Sequence, residues 1–295
     1  MVLSAELKAH LQTGATTVCR CWSVIRRDGV VLGFTDHDLP LAFDGISFAA
    51  DSGMSARALE QSTGLSVDNT EALGVLGSSA VNEADIRAGR YDGAAVVSWM
   101  VNWADVGQRV VLFRGTIGEI QRSAGAFQAE LRGLTEALNQ PQGRVYQKSC
   151  GAVLGDVACG FDLDLAGYST TLAAEVVRGG KFFEFASLSG FADRWFEKGR
   201  VRIDSGAAAG LIGVVKNDRA SASGRVIELW EALRADIQPG DMVRIEAGCD
   251  RRIETCKLKF NNLINFRGFP AIPGEDWLVS VPRRNGVNDG GRLNS

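Results

Sequence analysis

Helical spacing opens the chain and then gives way to short, alternating apolar runs. Leu3, Leu7 and Leu11 share one face of a stretch that Ser4 can cap, that carries Glu6 in its first turn and that Gly14 ends, so a short helix is expected over residues 4–12. Two runs follow, TTVCRCWSVIRRDGVVLGF and LPLAFDGISFAA, each broken by Asp-Gly. Asp-Gly supplies the positive φ angles of a tight turn whose twist matches the flanking strands, so both runs predict β-hairpins. Further strands are expected in GAAVVSWMVNW, QRVVLFRGTIGEI and GAFQAELRGL, at spacings that suit a barrel or sandwich.

The polar stretch LNQPQGRVYQ, with its Pro and Gly, marks a boundary, and a chain of 295 residues suits about two domains at roughly 150 residues each. The expected organisation is an amino-terminal β-rich domain over 1–143, a carboxy-terminal β-rich domain over 144–274 and an extension over 275–295. Strand-like segments recur in the second half: STTLAAEVV, RVRIDSG, GLIGVVKND and DMVRIEAGC. VIELWEALRADI fits either a short helix or a strand that breaks before Pro239 and Gly240. Residues 283–295 are polar with several Gly and Asn, which predicts a mobile tail. The fold class expected is mainly β, in two barrel- or sandwich-like domains.

Composition narrows the function. The 35 glycines favour turns over long helices, and a net charge of -3 leaves no general basic field to hold a nucleic-acid backbone. No run approaches the roughly 18 apolar residues that span a bilayer. The opening MVLSAELKAH lacks a basic start followed by an apolar core, so synthesis and folding in the cytosol are expected.

In a reducing compartment paired cysteines point to metal or redox chemistry more than to disulfides. Cys19 and Cys21 lie on one face of a predicted strand and read as small core residues. Cys150 and Cys159 are separated by eight residues and Cys249 and Cys256 by six. Chain order alone does not join the two pairs, but a sheet returning to its starting edge would. Four converging thiolates need a cation, either zinc or an iron-sulfur cluster. Zinc knuckles take about two to four residues between ligands, so these gaps are loose for zinc and suit a wider cubane better. Lys148, Arg251, Arg252, Lys257 and Lys259 flank the cysteines, as counter-charges to an anionic cluster or as an ordinary solvated face. Asn261, Asn262, Asn265, Phe266, Gly268, Phe269 and Pro270 follow the last Cys and are expected to form a compact loop whose amides reach sulfur and whose rings exclude water. Trp195, Phe196 and Trp230 read as core or subunit-contact residues.

An enzyme reading has little to stand on. The only histidines are His10, on the short helix, and His37, in FTDHDLP, where Asp and His side chains commonly bond the local backbone. The alternatives are a cytosolic redox or cell-wall-degrading enzyme and a zinc-stapled interaction module. No nucleophile-base set or redox substrate is identifiable for them.

LGFTDHDLPLAFDGISF, AGRYDGAAVVSWMVNW, YQKSCGAVLGDVACG and GCDRRIETCKLKFNNLINFRGFPAIPG, in that order, resemble the successive signatures of baseplate hub proteins of long-tailed phages and gene transfer agents, from about Leu3 to Gly274. The resemblance implies a structural, non-enzymatic virion component at the junction of tail tube and tail tip, a trimer that lines the DNA channel without specific binding. It implies as partners a distal tail protein, a tail-tip or fibre protein and a tail-associated peptidase, with assembly in the bacterial cytoplasm. It also implies a 4Fe-4S cluster held by Cys150, Cys159, Cys249 and Cys256, by likeness to tail-tip proteins of lambda-like phages.

Overall fold

The computed structural model describes residues 3–50, 54–56, 69–75, 81–123, 126–133, 143, 145–221 and 224–273. The tail expected over 283–295 and most of the polar boundary stretch lie outside the described residues. Two compact units emerge, Met1–Pro141 and Gln142–Ser295.

The amino-terminal unit holds α1 (Ala5–Gln12), β1 (Val18–Ile25), β2 (Val31–Thr35), β3 (Leu41–Phe43), β4 (Ile46–Ala49), β5 (Met54–Ala56), β6 (Asn69–Val75), α2 (Glu83–Arg87), β7 (Ala95–Asn102), β8 (Arg109–Ser123) and β9 (Ala126–Gly133). The strands form one sheet in the order β3-β4-β2-β1-β7-β8-β9-β6-β5. Both Asp-Gly hairpins form, β1 with β2 and β3 with β4. Asp44 and Gly45 take φ values of 50° and 74°, the left-handed pair that such a turn requires. Ser4 caps α1 by accepting from the Leu7 N–H at 3.2 Å, and Leu7 is fully buried.

Alternation along β1 sends its side chains into two cores. Trp22 and Val24 pack with Phe34, Val96, Phe113 and Leu131, whereas Cys19 and Cys21 pack on the other face with Phe43, Phe48, Trp99 and Val101. Cys19 and Cys21 are core residues, as their spacing predicts.

The carboxy-terminal unit holds β10 (Ser169–Ala173), β11 (Val176–Arg178), β12 (Phe182–Phe185), β13 (Arg200–Ile203), β14 (Ile212–Ser221), β15 (Gly224–Leu229), β16 (Met242–Glu246), α3 (Ile253–Leu258) and a 3₁₀ turn (Leu263–Asn265). Its sheet runs β10-β16-β13-β14-β15-β12-β11. Of VIELWEALRADI only residues 226–229 are strand, the end of β15, where Ile227 and Leu229 are buried at period two; residues 230–237 are neither strand nor helix. The expectation of β-rich halves is met as a mainly β chain with one sheet in each unit. The last strand, β16, lies beside the first, β10, with Glu246 opposite Ser169. The sheet thus returns to its starting edge.

A buried ion pair fixes one loop of this unit. Asp218 on β14 is fully buried, and both of its carboxylate oxygens accept from Arg225 on β15 at 2.5 Å. Arg225 also donates to the carbonyls of Phe191 and Ala192, and the Phe196 N–H donates to Asp218 at 2.8 Å. The pair therefore holds residues 191–196 against the sheet, with Phe196 buried in the core.

Removing one partner leaves an uncompensated buried charge, a loss of about 3–5 kcal/mol. Arg225→Met is expected to destabilise the carboxy-terminal unit by about that amount in urea unfolding. Pairing it with Asp218→Leu should cost less than the two single changes added together, which a double-mutant cycle measures.

Candidate functional site

The return of β16 to β10 brings the second cysteine pair to the first. After β16 the Ala247 N–H donates to the Tyr168 carbonyl at 2.7 Å and the Gly248 N–H to the Trp195 carbonyl at 3.0 Å. Only glycine fits at 248, because a Cβ there would overlap the Glu197 carbonyl. Cys249 follows, and Arg251, in left-handed conformation at φ 62°, turns its carbonyl to accept from the Cys150 N–H at 2.8 Å. The chain then enters α3, which carries Cys256, and the Asn262 N–H closes back on the Cys256 carbonyl at 3.0 Å.

Asp156 ties the loop of the first pair. Its carboxylate accepts from the Val153 N–H at 2.9 Å and the Cys159 N–H at 2.6 Å, and its own carbonyl accepts from the Gly160 N–H at 2.7 Å. The Val153 and Cys159 amides hold the Asp156 carboxyl below its ordinary range. Asn262 crosses between the loops, donating from Nδ2 to the Cys159 carbonyl at 2.7 Å and lying 3.6 Å from the Cys159 Sγ. The Arg267 side chain reaches the Ala158 carbonyl at 3.3 Å.

Three of the four sulfurs receive N–H donors. Arg251 N–H points at Cys249 Sγ from 3.4 Å, Arg267 N–H at Cys150 Sγ from 3.3 Å and Asn262 Nδ2 at Cys159 Sγ from 3.6 Å. Cys256 instead donates its S–H to the Asn262 carbonyl at 3.3 Å. Burial pushes the Cys249 thiol up, against the Arg251 amide, and the neighbouring Asp250, Cys159 and Cys150 push it further. Burial raises the Cys256 thiol as well, followed by the other three cysteines. The other cysteines thus lie close enough to Cys249 and Cys256 to oppose their ionisation, and a cation placed among them would favour it. Among the described residues no three or more His, Cys, Asp or Glu side chains form a group that could hold a metal ion as they stand. Cys249 also borders a cavity of ≈ 70 Å³ lined by Leu163, Lys198, Arg200 and Glu246.

The remaining residues singled out in the sequence take varied places. Asn262 is buried and Asn265 supports it, donating from Nδ2 to the Asn262 Oδ1 at 2.8 Å. Asn261 is exposed at φ 47°, and Phe269 packs on Tyr146 with ring centroids 4.8 Å apart. Lys148, Arg251, Arg252 and Lys257 are exposed, whereas Lys259 turns inward. Trp230 is exposed and Trp195 half-buried. His10 Nε2 accepts from the Thr17 N–H at 2.9 Å, and His37 Nδ1 accepts from the Leu39 N–H at 3.0 Å, the local backbone bonding that its turn predicts. The spacing of residues does not reveal Asp156, Tyr168 or Phe260. Their only sequence signal is nearness to a cysteine or an aromatic residue, and tertiary contacts give them their roles.

Comparison with known proteins follows this geometry. The family model described as "Baseplate hub protein, N-terminal attachment domain" matches residues 4–162, which include Cys150 and Cys159. A second, "Phage conserved hypothetical protein BR0599", matches residues 194–276, which include Cys249 and Cys256. Among solved structures, a chain of the "Virion of native gene transfer agent (GTA) particle" superposes with a TM-score of 0.90 at 61% identity, covering 98% of this chain and 99% of that one. No curated protein matches.

Because the Asp156 carboxyl is held below its unfolded value, its support of the cysteine loop is present above the ordinary aspartate range and lost as the pH falls through the depressed value. The protection of the Val153 and Cys159 amides, measured as exchange relative to the intrinsic rate at each pH, should therefore fall on acidification. Asp156→Ala should give that low protection already at neutral pH, while Asp162→Ala should not.

Proposed function

The chain belongs to the baseplate hub protein family, and from that premise we propose that it is the hub of a phage-like tail whose carboxy-terminal unit is stapled by a four-iron, four-sulfide cluster. It is a structural rather than enzymatic protein, located in the tail of a virion or gene transfer agent particle. The observation that carries the hub reading is the 61% identity to a chain of the gene transfer agent virion over 98% of this chain. In our reading the protein forms a trimeric ring where tube meets tip. It contacts a distal tail protein, a tail-tip or fibre protein and a tail-associated peptidase, and a weakly acidic lumen would let DNA pass by repelling its backbone.

Cys150, Cys159, Cys249 and Cys256 would hold the cluster. Two features support this. The fold gathers thiols from loops about a hundred residues apart onto neighbouring backbone, with N–H donors at three sulfurs where thiolate charge would develop. The gaps of eight and six residues also suit one thiolate per iron better than a single zinc ion. When bound, the cluster supplies a covalent cross-link between the two cysteine loops. The residues around it do the rest: Asn262 and the Arg251 and Arg267 amides steady the sulfurs, and Asp156 shapes the loop.

Anaerobically purified protein should be brown, with iron and inorganic sulfide near four each per chain. Replacing any of the four cysteines by Ser should bleach it and lower the melting temperature of the carboxy-terminal unit, while Cys19→Ser and Cys21→Ser should keep the colour. One zinc per chain and no sulfide would replace the cluster by a zinc staple. A hub should also associate with itself and with purified neighbouring tail proteins and should not turn over peptidoglycan. A hydrolase rate abolished by His37→Ala would overturn that reading.

A further inference from the structure

Lys259 caps the end of α3, three residues beyond Cys256, and its side chain turns beneath the second cysteine loop. Nζ donates to the Trp195 carbonyl at 2.6 Å and to the Gly248 carbonyl at 2.9 Å. The ammonium also lies 4.1 Å from the centroid of the Trp195 ring and 5.4 Å from that of Phe260. Its own carbonyl accepts from the Tyr168 hydroxyl at 2.8 Å. The three N–H bonds are thus directed at two carbonyls and an aromatic face. Among the described residues no carboxylate forms an ion pair with it.

A half-buried ammonium without an anionic partner is costly, and buried lysines are ordinarily paired. Burial lowers this one to about 8, against the pull of Cys249 and, more weakly, of Asp218 and Asp250. Cys249 of the proposed site directly follows Gly248, whose carbonyl Nζ holds. Four thiolates around a core of formal charge about +2 leave a net of about -2, and the same arithmetic holds for one divalent ion. Lys148, Arg251, Arg252 and Lys257 are exposed, so solvent and salt screen them.

We propose that Lys259 is the fixed counter-cation of the filled cysteine site and the latch that seats the Cys249 loop on residues 195–199. This rests on the reading of the four cysteines as a metal site. The seat is itself rigid. Trp195 Nε1 donates to the Gly167 carbonyl at 3.1 Å, and the adjoining loop is held by the buried Asp218–Arg225 pair. A charge tied to two carbonyls of that seat keeps its place better than one on an exposed side chain. Lys259 touches no sulfur directly, so its role is to position and to compensate charge.

The test compares the full chain with K259M, K259R and K257M, all reconstituted anaerobically with iron and sulfide. Iron and sulfide content of the parent tests the cluster reading by itself. Redox titration followed by visible absorption then tests Lys259. K259M is expected to have a more negative reduction potential than the parent and to lose its cluster faster to a chelator, with K259R retaining most of the parent behaviour and K257M nearly all of it. A K259M that cannot be loaded, beside a K259R that can, supports the proposal too. Equal potentials and equal loss rates for K259M and K257M would overturn it, as would a K259R as impaired as K259M, since shape and not charge would then decide. Should the parent bind zinc instead, the cluster reading fails alone. The proposal is then judged by zinc release to a chelator, expected to be faster from K259M than from K257M.

Discussion

The position of β16 between β10 and β13 is the constraint from which the cysteine site follows. With Glu246 paired both to Ser169 on β10 and to Arg200 on β13, the chain leaves the sheet beside the strand that the first cysteine loop enters. Backbone contact then sets the approach: Gly248 lies against Glu197 with no room for a side chain, and the Ala247 and Gly248 amides are both spent on carbonyls of that wall. A one-residue slip of β16 would turn Val243 and Ile245 out of the core and carry Cys249 away from Cys150. Core burial and site geometry are therefore enforced by the same ladder.

Electrostatics explains why such a site needs both sheet and loop. Burial raises the proton affinity of the Cys249 and Cys256 thiols and the neighbouring cysteines add to it, so a cation placed among them would favour their ionisation. The amides of Arg251 and Arg267 and the side chain of Asn262 are already aimed at sulfur. Lys259 is tied to the Trp195 and Gly248 carbonyls beside them. Preformed donors of this kind would reduce what the backbone must reorganise if the proposed cluster binds.

Membership of the baseplate hub family fits a molecule whose chemistry is cohesive rather than reactive. The histidines bond nearby backbone, Cys19 and Cys21 fill a core, and the strongest buried charge pair, Asp218 with Arg225, anchors a loop. A component of a tail must resist distortion at its joints, and buried polar anchors give a loop one geometry at a cost that hydrophobic packing offsets.

The sequence by itself determined the local parts of this protein. Asp-Gly marked the two early hairpins, through the left-handed φ of Gly29 in one and of Asp44 with Gly45 in the other, Ser4 and Gly14 bounded α1, and period-two alternation located most strands and placed Cys19 and Cys21 inside. Ordered motifs carried the family. The short elements were not legible: α2 and α3 have five and six residues, too few to show helical periodicity, and Arg252 at the start of α3 makes no side-chain capping bond. Phe182–Phe185 passed unseen as a strand because four residues, three of them Phe, show little alternation until Phe183 and Phe185 are found buried. Tertiary structure alone decided that β16 lies beside β10, that Asn262 rather than Asn261 reaches Cys159, and that one of five basic residues near the cysteines is turned inward. The contacts behind those outcomes join residues as far apart as 64 for Lys259 with Trp195 and 103 for Asn262 with Cys159, and spacing along a chain carries no information about which distant backbone a side chain will meet.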